Sequence, residues 1–346
     1  MSTATPRRVT NIDALSSSAR SAASRRPSLR RALPLLVAVV LTIGLVIVSI
    51  LVGVADLSDT EGGGSDFLWI TRIPRTVALV LAGASMAMAG LIMQLMTQNR
   101  FVEPTTVGTM EWAGLGLLVT YILFPSAGVV AKMIIAILFA FGGTLVFFAF
   151  LRRVTLKSSL IVPIVGIMLG AVVSAVTMFL ALQFNLLQML GGWFLGRFGG
   201  IEVGRYEILW LVLAVAIAVF ILADRFTVAG LGKDIATNVG LDYERIVLLG
   251  VSLVAITTGV VTVVVGMLPF LGLIVPNLVS MIRGDDLRSN LPWVFLTGIW
   301  IVTVCDLIGR VVIMPFELPV SLVLSVVGAA LFIFMLLRTR RTAGVR

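Results

Sequence analysis

Long runs without a charged residue alternate along this chain with short polar breaks. A bilayer core about 30 Å thick takes roughly 20 helical residues to cross. Uncharged runs of that order lie at 34–54, 76–97, 133–151, 158–182, 208–223 and 319–337. A further run, 104–124, is interrupted only by Glu111, and another, 291–309, only by Asp306. The stretch 246–282 is uncharged and too long for one crossing. Gly266 and Pro269 mark a break inside it, since proline ends or kinks a helix. Read as two segments, the second one short, it brings the expected crossings to ten; if 269–282 re-enters instead, there are nine.

Small residues are dense inside the spans, as in "LAGASMAMAG" at 81–90 and "GIMLGAVVSA" at 166–175. In lipid they let helix backbones approach closely, which is how bundles pack without a hydrophobic drive between helices. The pattern predicts an all-α integral membrane protein. Composition agrees: 59% of residues are hydrophobic and 12% charged, with a mean hydropathy of +1.11. A soluble chain of 346 residues has too little interior to hide that much apolar surface.

Charge orients the spans. The first 31 residues hold Arg7, Arg8, Arg20, Arg25, Arg26, Arg30 and Arg31 against a single acid, Asp13, and read as a basic, disordered tail. The run after them is of full spanning length and lacks a small-residue cleavage site, so an uncleaved anchor is expected rather than a signal peptide. With that end inside, the inner loops carry Arg100; Arg152, Arg153 and Lys157; Arg225, Lys233 and Arg245; Arg283 and Arg288; and the tail 340–346 adds more. The first outer loop carries Asp56, Asp59, Glu61 and Asp66. Both termini come out cytoplasmic, as the positive-inside rule and an even number of crossings require. The domain plan is a tail at 1–31, a membrane domain at 32–339 and a tail at 340–346. The net charge of +9 belongs to this orientation rather than to nucleic-acid binding.

Catalytic and metal chemistry is sparse. There is no histidine, and Cys305, the single cysteine, reads as a small packing residue in an apolar run. No G-x-x-x-x-G-K-[ST], H-E-x-x-H, C-x-x-C or G-x-S-x-G occurs. No enzyme, metal site or directly bound cofactor is expected. Energy for any transport must come from a partner or an ion gradient.

Four places invite a functional reading. The inner loop 224–246, "DRFTVAGLGKDIATNVGLDYERI", is too long for a tight connection. Within it 233–239 predicts a short helix ended by Gly240, with a second helical start near Asp242. That is either a handle for a soluble motor or an ordinary linker. Arg72 and Arg75 flank Pro74 on the outer side, and Arg310 stands at the outer end of another span. Paired guanidiniums there either dock carboxylates of a partner or anchor helix ends at the interface. Asp306 lies one turn before Arg310, so an i,i+4 ion pair is available. Gln94 and Glu111 are intramembrane polar groups that either line a pathway or fix a helix contact.

Seven blocks then carry a resemblance: "RIPRTVALVLAGASMAMAGLIMQ" (72–94), "FVEPTTVGT" (101–109), "GKDIATNVG" (232–240), "PFLGLIVPN" (269–277), "GDDLRSNLP" (284–292), "CDLIGR" (305–310) and "ELPVSLVLSVVGA" (317–329). In this order they resemble the FecCD family, permease subunits of ABC importers for ferric siderophores, haem and cobalamin. The resemblance implies ten helices and a second permease subunit, identical or homologous. It also implies two cytoplasmic ATPases that consume the ATP, and an extracytoplasmic substrate-binding protein. By the same resemblance, Gly232, Lys233, Asp234, Ala236 and Gly240 form the segment that couples to the ATPase. Arg72, Arg75 and Arg310 match arginines that meet acids on the binding protein.

The chain also departs from the commonest family pattern. Asn99-Arg100 stands for Asn-Pro, Asn277 for a histidine, and "TTVGTMEWAGLG" for a glycine/serine-rich continuation. The local text looks closest to a ferric-siderophore branch. The expected function is a cell-membrane permease for iron–siderophore complexes, with haem or cobalamin as alternative cargo. Two rivals are an ion-coupled secondary transporter using Glu111 and Asp306, whose uptake would collapse with the gradient, and a membrane assembly protein that transports nothing.

Overall fold

In the computed structural model the described residues are 29–53, 68–153 and 161–343. Residues 1–28 of the basic tail, Asp56, Asp59, Glu61, Asp66, Lys157 and residues 344–346 lie outside them. By its contacts the chain forms two units, Met1–Leu41 and Thr42–Arg346. The first is represented by the N-terminal half of helix α1, Leu29–Leu51.

All regular structure among the described residues is helical. A π-helical turn, Leu68–Arg72, leads into α2, Ile73–Thr97, with Pro74 just past the junction, where its missing N–H removes one helical hydrogen bond. Then follow α3 (Thr109–Leu123), α4 (Val129–Arg153), α5 (Ile161–Gln183) and the short α6 (Leu187–Phe194). A 3₁₀ turn, Tyr206–Leu209, opens α7 (Trp210–Ile221), which meets α8 (Ala223–Gly230) at a 66° bend. After them come α9 (Lys233–Asn238), α10 (Tyr243–Val264), α11 (Leu271–Arg283), α12 (Leu287–Val311) and α13 (Val320–Ala343). Helices α1, α2 with its π turn, α4, α5, α10 and α12 are long and apolar enough to cross a bilayer, and the bent pair α7–α8 has the length and apolarity of either a broken span or a re-entrant loop. Three apolar helices are shorter: α3, α11 and the first part of α13.

Helix α2 is the hub. It is buried over most of its length and packs against α12, α11, α10, α7 and α8. Its small residues explain how so many neighbours fit: a Cβ built on Gly90 would overlap the Gly272 carbonyl of α11, so only glycine lets these backbones meet. The outward faces of α4, α5 and α7 are the reverse. They expose Leu138, Met168, Val172, Phe179 and Ile221, a surface suited to lipid rather than water.

The long run 246–282 does break where its glycine and proline stand. Helix α10 ends at Val264, Gly266 takes φ +99°, and α11 starts at Leu271. At 13 residues α11 is only about 20 Å long, so its N-terminal amides end in the protein interior and need acceptors. Glu103, 1% exposed, supplies them: its carboxylate accepts from the N–H of Phe270 (3.0 Å) and Leu273 (3.0 Å). Thr105 in turn donates to Glu103.

Candidate functional site

At one end of the bundle, the segment after α8 forms the short helix that its sequence predicts. Gly232 (φ +112°) and Gly240 (φ +86°) flank α9 in conformations that side-chain-bearing residues rarely adopt. Ala236 is fully buried and its carbonyl accepts the Leu241 N–H (2.9 Å), which closes the turn. The Asp242 carboxylate then caps α10 by accepting the Arg245 N–H (3.2 Å).

Around that fixed core the segment presents an outward face. Ile235 is 48% and Val239 71% exposed, with Leu231 and Asp234 exposed beside them. Lys233 pairs with Glu244 at the start of α10 (3.0 Å), and Glu244 also takes Arg152 from the end of α4. The segment is thus tied to two spans by one carboxylate, a link that Glu244 gave no sign of in the sequence. Helix α8 is a second difference, since 233–239 and a helical start near Asp242 were the helical parts expected of this loop; Phe226 and Ala229 bury it against its neighbours. At this end Arg100 pairs with Asp285 (2.7 Å) and Arg288 with Asp224 (2.9 Å). The Ser280 hydroxyl, and after it Arg100, hold the Asp285 carboxyl below the usual carboxylate range.

Arg72, Arg75 and Arg310 gather at the other end in one network. Arg72, 6% exposed, donates to the carbonyls of Ile50 (3.0 Å) and Leu51 (3.1 Å). Arg310, 4% exposed, donates to the carbonyls of Ser49 (2.7 Å) and Val52 (2.9 Å) and to Asp306. Arg75 donates to Asp306 (2.8 Å) and to Glu317 (2.7 Å). The last carbonyls of a helix have no partner within it, and cations are favourable there. Arg72 and Arg310 therefore cap the end of α1, and Asp306, 1% exposed, is shared as counter-charge between Arg310 and Arg75. The i,i+4 pair of Asp306 and Arg310 forms; the Arg75 and Glu317 contacts were not anticipated. A carboxylate from outside could reach Arg72 or Arg310 only by displacing these internal acceptors. Arg75, its side chain 13% exposed, is the nearest of the three to the surface.

Between these ends lie the two intramembrane polar candidates. Gln94 spends its amide on the carbonyls of Gly272 (3.2 Å) and Leu273 (3.5 Å), the start of α11, which is a helix contact. Glu111, in the first turn of α3, lies against Gly170 of α5, and its Oε2 is buried without a hydrogen-bond partner among the described residues. Among them no cluster of three or more metal-ligating side chains forms.

The pattern of the FecCD transport family matches residues 34–338. The chain belongs to that family. It is 57% identical over 313 residues, 90% of this chain and 93% of the relative, to the petrobactin import system permease protein FatD of Bacillus anthracis. It is 42% identical over 309 residues, 88% and 98% of the two chains, to the petrobactin permease YclN of Bacillus subtilis. Among solved structures, a metal-chelate type ABC transporter in an inward-facing conformation shares the fold, with a TM-score of 0.76 at 22% identity over 88% of this chain and 98% of that one. The chain is accordingly a multi-pass membrane protein of a transport family.

Proposed function

We propose that this chain is the membrane-spanning permease subunit of an ATP-driven importer that passes iron–siderophore complexes into the cytoplasm. The observation that carries the reading is the 57% identity to a petrobactin import permease, sustained over 90% of the chain. The six long apolar helices support a multi-pass permease, and the ten-crossing reading adds the bent pair and the three shorter apolar helices to them. With Arg100, Arg152, Lys233 and Arg288 at one end, the positive-inside rule makes that end, and both termini, cytoplasmic.

The chain makes and breaks no bond and binds no cofactor of its own. Of two partner ATPases, one would seat on α9 of this chain, where Ile235 and Val239 offer an apolar surface and Gly232 and Gly240 hold the helix in place. A second permease subunit, a copy of this chain or a homologue, completes the pathway. An extracytoplasmic binding protein delivers the cargo to the opposite end. Arg75 is the arginine best placed to meet it, with Arg72 and Arg310 holding the helix ends beneath.

The test is co-purification from native membranes followed by reconstitution. An ATPase and an iron-chelate-binding protein are expected to accompany the chain, and the assembly to accumulate ferric siderophore only with ATP. Uptake that proceeds without an ATPase and collapses with an ion gradient would replace this reading with the secondary-transporter one.

A further inference from the structure

A cavity of about 480 Å³ opens beside the Arg75–Glu317 pair, within the size range of small-molecule sites. Its wall holds Arg75, Asp306 and Glu317, and its other charged residues are Arg197 and Arg205, from the loop between α6 and the 3₁₀ turn. The two groups differ in their state. Asp306 and Glu317 are already bound by arginine, whereas neither Arg197 nor Arg205 has an ion pair or side-chain hydrogen bond among the described residues. Both are exposed. Glu202 and Glu207, close by in sequence, do not line the cavity, and Glu207 is engaged by the Gly204 N–H (2.8 Å).

Two buried donors on the same wall also lack acceptors. Among the described residues the hydroxyl of Thr262, a residue 3% exposed, has no hydrogen-bond partner, and Arg75 Nε is buried without one. Buried donors left unmet are uncommon, and such groups point to something that fills them. Trp193, stacked on Tyr121 at 4.5 Å, adds an aromatic wall. The cavity therefore combines unspent positive charge at its edge, unmet donors in its wall and one aromatic surface.

We propose that this cavity is an anion-recognition site, in which Arg197 and Arg205 hold the oxygen-rich, negatively charged face of a metal chelate. The proposal rests on the importer reading, and it adds which charge of cargo the mouth selects. Guanidiniums donate paired hydrogen bonds to chelate oxygens and steer anions inward. Because Arg75 beneath them is neutralised by Asp306 and Glu317, the attraction is confined to the edge, and a ligand held there can move on.

Purified chain in phosphatidylcholine nanodiscs, which carry no competing anionic lipid, is titrated with two labelled iron probes. One is a trianionic ferric tris-catecholate chelate and the other a neutral ferric trihydroxamate of similar size. Arg197→Gln with Arg205→Gln is expected to lower affinity for the anion about tenfold or more, and to leave the neutral probe unchanged. Lysine at both positions, which keeps the charge, should restore much of the loss. Equal binding of the anion by wild type and the glutamine variant overturns the proposal, as does an equal loss for both probes. Normal chelate binding with impaired docking of the binding protein also overturns it, making the pair a protein-docking surface. ATP-driven uptake by the wild-type assembly is read in parallel. Its absence removes the importer reading, whereas its presence alongside unaltered anion binding in the glutamine variant removes the site alone.

Discussion

Asp306 is the residue on which the arginine network turns. It is the shared partner of Arg75 and Arg310, and it is almost completely buried. Asp306→Asn leaves two enclosed guanidiniums short of their counter-charge, and removing one member of a buried pair typically costs about 3–5 kcal/mol. The expected outcome is a large drop in the thermal midpoint of the purified protein. Glu317→Gln removes a half-exposed carboxylate from the same network and should cost no more than about 1 kcal/mol. Equal midpoints for the two variants would mean that burial does not set the strength of these contacts. Sequence reading reached this network in part. The Asp306–Arg310 pair lies within one helical turn and is visible as spacing. The Arg75–Glu317 contact joins positions 242 apart and has no local trace. The reach of Arg310 to the Ser49 carbonyl, 261 positions away, is equally silent.

At the level of single helices, the start of α11 depends on a side chain from elsewhere. A broken span leaves amides facing the interior, and Glu103 receives those of Phe270 and Leu273. Glu103→Ala strands them, at about 1–3 kcal/mol for a buried group left unpaired. Hydrogen exchange at residues 270–273 should quicken in that variant while exchange in the middle of α2 stays slow; unchanged exchange at 270–273 would count against the cap. The break itself was legible from Gly266 and Pro269, because glycine and proline act on their own backbone. Its cap was not, since the partner lies 167 residues earlier. Helix α8 was missed for a related reason. Phe226 and Ala229 become a helical face only once α2, α10 and α12 are there to bury them.

In the proposed transporter assembly, α9 is the joint to test. Gly240 at φ +86° has open space around it, so a side chain there meets backbone strain and no steric clash. A left-handed conformation costs a side-chain-bearing residue about 1–2 kcal/mol, enough to tilt a six-residue helix and not enough to unfold a membrane bundle. Gly240→Val is expected to leave insertion intact and to lower the ATP hydrolysis stimulated by loaded binding protein. Unaltered stimulation would separate α9 from the ATPase. The long apolar helices were legible in the sequence, because apolar length is a property of the chain and needs no partner. The outer arginines were legible as a group, but their exposure was not: whether a guanidinium faces outward or folds back depends on which carbonyls lie within its reach.

The cap on α1 has a bearing on biogenesis. Ribosomes make the chain from its N-terminus, so the first helix enters the bilayer long before Arg310 has been polymerised. Until then Arg72 alone is available to the terminal carbonyls of that helix, and those at Ser49 and Val52 await a residue some 260 positions downstream. This helix is thus fully capped only late in synthesis, and a nascent chain halted before Arg310 would hold its end by Arg72 alone.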